Sequence, residues 1–145
     1  MVTMAWTAVV ALALTGPVAD DAAKKDQEAM QGEWKLVSGE RGGEKLPPDG
    51  VTVHRTVKGN ESTVKVESGE GNQEWSSTFT LNPGAKPKEV DFKGISGPLK
   101  DQTVLGIYEI DGDTMKVCIG QPGEPRPKKF SGDEGTFTTW KRVKK

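Results

Sequence analysis

Cysteine and histidine are nearly absent from this 145-residue chain: there is one of each, Cys118 and His54. A single cysteine excludes an intramolecular disulfide. Together the two make too thin a ligand set for a zinc site, which draws about three or four such side chains from the protein. A Ser-His-Asp arrangement would have to use His54, which stands in an alternating strand pattern, and Cys118 has no neighbouring base to make it a nucleophile. An excess of charge of one sign is missing too. With 20 basic and 21 acidic side chains the formal net charge is -1, whereas nucleic-acid binders carry a basic excess that neutralises phosphate. No apolar run reaches the roughly 20 residues that cross a bilayer. The acidic residues are scattered (Glu33, Glu67, Glu74, Asp91, Glu109) and none forms a pair that stands out. No catalytic residue, metal or cofactor is therefore assigned, and the chain reads as a non-enzyme.

What is present begins with a leader. Met4–Leu14 is apolar and has signal-peptide core length, although no Lys or Arg precedes it. Small residues follow up to Ala19, and Asp20-Asp21 restore polarity. Residues 1–19 are expected to be a signal peptide, cleaved after Ala19 or, as the alternative, near Ala22 or Ala23; a buried N-terminal helix is the competing reading. The expected location is outside the cytoplasm: periplasm, cell envelope or extracellular space. Residues 20–31, rich in Ala, Lys, Glu and Gln, read as a short helical lead-in that could lie across one end of the domain.

From Gly32 to Val143 the period of the pattern is two. Trp34 and Leu36 open it. Val51, Val53, Arg55 and Val57 share a face, as do Val64 and Val66, and then Trp75, Ser77, Phe79 and Leu81. Val90 and Phe92, Thr103–Ile110, Thr114–Ile119 and a final run from about Gly135 complete eight strand candidates. The 18 glycines and 9 prolines mark the turns between them. Asp111-Gly112-Asp113 reads as the tightest hairpin, with Gly112 supplying the positive φ that such a turn demands, and not as a calcium loop. Even spacing and no βαβ alternation predict an all-β antiparallel meander, sandwich or barrel. Pro122–Pro127 contains a Pro-x-x-Pro spacing and reads as a stiff inter-strand loop.

The residues Gln31–Glu40, Lys45-Leu46-Pro47, Leu81-Asn82-Pro83 and above all Leu105–Cys118 resemble the planctomycete-type lipocalin-like domain family, small exported proteins of uncharacterised function. The resemblance runs from about Met30 to Arg142. It implies a lipocalin-like up-and-down barrel of about eight strands behind a short N-terminal helix. It also implies that Trp34 closes one barrel end under a cation from the last strand, Arg142 first and Lys141 second.

Two roles follow as expectations. In one, the barrel holds a small apolar ligand lined by Trp75, Phe79, Leu81, Val64, Val66, Ile107 and Val117. In the other, its core is solid and its loops or edges bind an envelope protein. The chain is expected to be a monomer without a membrane span. Cys118, on the strand face opposite Met115, Val117 and Ile119, is expected to be an inert thiol, with pairing to another chain as the alternative.

Overall fold

The computed structural model describes residues 21–144; the expected signal peptide lies outside the described residues. A helix, α1, covers residues 21–29. Nine strands follow: β1 Gly32–Arg41, β2 Glu44–Leu46, β3 Thr52–Lys58, β4 Glu61–Ser68, β5 Gly71–Asn82, β6 Lys88–Gly94, β7 Thr103–Asp111, β8 Thr114–Ile119 and β9 Thr136–Arg142. All pairings are antiparallel between sequence neighbours, except that β1 pairs with β3 and also with β9. The β1–β9 ladder joins Trp34 to Arg142 and Leu36 to Trp140 across a register shift between Leu36 and Ser38. It closes an eight-stranded antiparallel barrel, and closure leaves these strands without free edges. Among the described residues no helix is long and apolar enough to cross a membrane.

β2 is the element that the pattern did not announce. Gly42-Gly43, expected as a break, is instead a two-residue turn with φ of 56° and 86°. Only glycine takes that pair of angles freely, and it folds Glu44–Leu46 back onto Gly39–Arg41. The Leu46 side chain then packs against the core together with Val51 and Leu99. These three cover the barrel end opposite α1.

Cross-strand register carries one inward set around the barrel. Val57 pairs with Ser62, Ser62 with Ser77, Phe79 with Phe92, Phe92 with Val104, Tyr108 with Val117 and Met115 with Trp140. Strand side chains alternate in direction, so these residues and those two positions away face the interior. The buried core is Met30, Trp34, Leu36, Val53, Val57, Phe79, Val90, Phe92, Val104, Tyr108, Met115, Val117 and Trp140.

At Ile107 and Cys118 the wall formed by β7 and β8 is buried on its outer face as well. Ile107 and Cys118 are opposite one another in the β7–β8 ladder and point outward. A strap of residues 120–135 covers them. Arg126 fastens it: its Nη1 donates to the Gly106 carbonyl (2.9 Å), and its guanidinium lies 3.5 Å from Glu89 and 2.8 Å from Asp91. Gly132 N donates to Glu40 at 2.8 Å, and Phe130 packs against Phe137 with ring centroids 5.9 Å apart and planes tilted by 53°.

Candidate functional site: the plugged barrel end and a buried arginine

α1 closes one end of the barrel like a plug. Its last turn delivers Met30 into the core, where 5% of the residue stays exposed. The orphan carbonyls of that helix end find donors on the barrel. Trp34 Nε1 donates to the Met30 carbonyl at 2.8 Å. Arg142 donates from Nη2 to the Ala29 carbonyl at 2.6 Å and from Nη1 to that of Gln31. The guanidinium carbon of Arg142 lies 4.3 Å from the centre of the Trp34 ring, and Lys141 is exposed. A cation over a desolvated indole contributes about 2 kcal/mol. Arg142 is oriented in turn by Asp113 at 3.2 Å, beside Gly112 in the β7–β8 turn. The salt link from Lys144, then Arg142, holds the exposed Asp113 carboxyl below its ordinary pKa.

The outer rim of the plug is a polar clasp. Asp26 Oδ2 accepts from Tyr108 Oη at 2.7 Å and from Lys88 Nζ at 3.0 Å. Burial, and then the bond to Asp26, pushes the Tyr108 hydroxyl far above its ordinary pKa, so it remains a donor. Gln31 completes the rim by exchanging two bonds with the Gly59 backbone, at 2.9 and 2.7 Å.

Beneath the plug is a cavity of about 10 Å³ lined by Met30, Arg55, Val57, Ser62, Phe79, Val90, Phe92, Tyr108, Met115 and Val117. One charged group faces it. Arg55 is 7% exposed and stands on β3 between the buried Val53 and Val57. Its guanidinium carbon lies over the rings of Trp140 (4.6 Å) and Phe92 (5.4 Å). Nη1 donates to Ser62 Oγ at 2.9 Å, while Nε has no partner. No carboxylate of the described residues forms an ion pair with it. Burial pushes the guanidinium down to about 10, so it is still charged at neutral pH.

Of the seven residues expected to line a ligand site, Phe79 and Val117 line this cavity. Val64, Val66 and Leu81 are half-buried against the core. Trp75 shares their inward face through its pairing with Val64, but it is half-buried, outside the packed core, with the turn at Gly97 against it. The expectation for Ile107 is corrected. It faces the strap side because its ladder partner is Cys118, whereas Val117 pairs with Tyr108. The other eight lining residues were missed: Met30, Arg55, Val57, Ser62, Val90, Phe92, Tyr108 and Met115. Arg55 is the one that stood out in the pattern, a charge within the apolar series Val51, Val53, Val57.

The other polar groups are wall fittings. His54 lies on the outer face, 3.7 Å from Glu33 and 3.9 Å from Glu67. A polar groove of about 140 Å³ runs past Thr80, Asn82, Glu89, Asp91 and Arg126. There Asp91 Oδ1 lies close to Arg126 Nη1 but off its N–H directions, which point at backbone carbonyls. Among the described residues no cluster of His, Cys, Asp or Glu could hold a metal. Cys118 is fully buried under the strap, its Sγ 3.4 Å from the Ser131 carbonyl, and burial pushes the thiol up. The folded protein is expected to resist a thiol-specific disulfide reagent and to react at once in guanidinium. Prompt stoichiometric reaction of the folded form would contradict this placement.

No family model matches the chain, and no curated protein matches it. Among solved structures the chain is similar to a point mutant of the fluorescent protein UnaG, at 14% identity and a TM-score of 0.42, over 81% of this chain and 99% of that one.

Proposed function

We propose that this protein is an exported, monomeric barrel of the planctomycete-type lipocalin-like family that takes up a small ligand at the end plugged by α1. The construction of that end carries the reading. Nine of the ten residues lining the cavity project from barrel strands, and the tenth is Met30. Only Met30 therefore lines the cavity from an element that can leave without opening the barrel ladder. The plug is fastened by a handful of hydrogen bonds, each worth about 0.5–1.5 kcal/mol net and more where a charge takes part. Met30 is unbranched and flexible, suited to filling a space that is sometimes needed. With it withdrawn, Val57, Phe79, Val90, Phe92, Met115 and Val117 present an apolar chamber. The apolar run at Met4–Leu14 supports export.

The filled interior favours a second reading, the solid-core interaction module. A void of about 10 Å³ admits one water at most.

N-phenyl-1-naphthylamine, a neutral apolar fluorophore, separates the two readings. Asp26→Ala cuts the clasp and is expected to lower stability by about 1–3 kcal/mol. It is also expected to tighten probe binding about tenfold, which corresponds to 1.4 kcal/mol of plug release. If neither the parent nor Asp26→Ala binds the probe while far-UV circular dichroism stays native, the ligand reading fails and the interaction module stands.

A further inference from the structure

We propose that Arg55 is the receptor for the head group of that ligand, and that the ligand is a small organic carboxylate with an apolar tail. The inference rests on the reading of the barrel as a ligand binder and names its ligand class.

The argument begins with what Arg55 lacks. A guanidinium presents five N–H donors and accepts nothing. The buried polar side chains of the core other than Arg55 are Ser62 and Thr138. Thr138 Oγ1 is committed, donating to the Val117 carbonyl at 3.3 Å and accepting from Trp140 Nε1 at 2.8 Å. Ser62 Oγ takes one Arg55 donor at Nη1. Nε–H is left in an apolar interior with no acceptor. Buried charges are normally paired, and an unpaired one is costly.

The surroundings then select the missing partner. The guanidinium carbon lies 4.6 Å from the centre of the Trp140 ring and 5.4 Å from that of Phe92, and these rings attract the cation without neutralising it. What remains unmet is Nε–H, and the matching acceptor for adjacent guanidinium N–H groups is a planar carboxylate. One cation calls for one negative charge. A phosphate dianion would leave net charge in an apolar chamber. The rest of the lining is apolar apart from the hydroxyls of Ser62 and Tyr108, so the remainder of the ligand is hydrocarbon.

The test compares octanoate with octanamide, which has the same chain and a neutral head. Titration calorimetry is combined with the Arg55 Nε–Hε resonance of protein labelled with ¹⁵N-arginine. Octanoate is expected to bind at least about tenfold more tightly than octanamide and to shift that resonance. Arg55→Met, verified as folded by circular dichroism, is expected to lose the preference and keep its affinity for octanamide. Arg55→Lys is expected to keep part of the preference. Equal binding of the two compounds, or an octanoate preference that survives in Arg55→Met, would overturn the role of Arg55 and leave the barrel a ligand binder. Failure of both compounds to bind the parent and Asp26→Ala would overturn both readings.

Discussion

Trp34→Ala is expected to lower the free energy of unfolding by about 3–5 kcal/mol, the cost of truncating a fully enclosed large aromatic. The indole is 0% exposed and makes three kinds of contact at once. Its ring belongs to the packed core, its Nε1 holds the Met30 carbonyl at 2.8 Å, and its face receives Arg142 at 4.3 Å. Removing it leaves a large cavity at the plugged end and strips the last turn of α1 of one of its donors. Trp34→Phe is the milder exchange. It keeps a ring beneath Arg142 but loses the bond to Met30, part of the buried volume and part of the cation–π attraction, so about 1–3 kcal/mol should go. Urea unfolding followed by far-UV circular dichroism reads both, since tryptophan fluorescence changes with the substitution. A loss below about 1 kcal/mol for Trp34→Ala would mean that the barrel end is not closed by this ring.

The same end shows what the sequence could and could not disclose. Trp34 and Arg142 were legible through the resemblance, which implies a Gly-x-Trp on the first strand under a cation from the last, and the β1–β9 ladder does pair the two. Period-two alternation worked along β3, β4 and β5, where one face is wet. On β8 it set Met115, Val117 and Ile119 opposite Cys118, as the ladder does. It failed on β7, where Ile107 and Tyr108 are both buried because the strap covers the outer face as well, so alternation no longer separates inside from outside there. Register would have decided the matter. A two-residue turn at Gly112-Asp113 makes Asp111 and Thr114 partners, and counting back sets Ile107 against Cys118. β2 escaped notice because Gly42-Gly43 has the composition of a break and the geometry of a hairpin. The cavity depends on pairings between distant strands and on where α1 docks, so no local pattern could disclose it. Arg55 was read as a member of an apolar face, and the oddity of a cation there was the clue to follow.

The cation is also expected to cost stability. Arg55→Met replaces a buried charge with an apolar side chain of similar length, a class of exchange that is neutral or stabilising by about 1–4 kcal/mol even where the charge had an ionised partner. Arg55 has none, and Nε–H lacks any acceptor. Two terms oppose the gain: contact with Trp140 and Phe92 weakens, and Ser62 Oγ loses its donor. A serine hydroxyl can turn to another acceptor, and methionine keeps contact with the rings through sulfur, so the net is expected to stay on the stabilising side. Arg55→Ala removes the charge as well but leaves its volume empty. It should therefore fall about 2–5 kcal/mol below Arg55→Met, the usual span for truncation to alanine in a core. Denaturant midpoints for the two variants give the comparison directly. If Arg55→Met is less stable than the parent by more than about 1 kcal/mol, the stack over Trp140 and Phe92 is sufficient reason for the arginine. If it is more stable, the fold alone does not explain why a guanidinium is kept inside this barrel, and the explanation passes to whatever meets its unpartnered Nε–H.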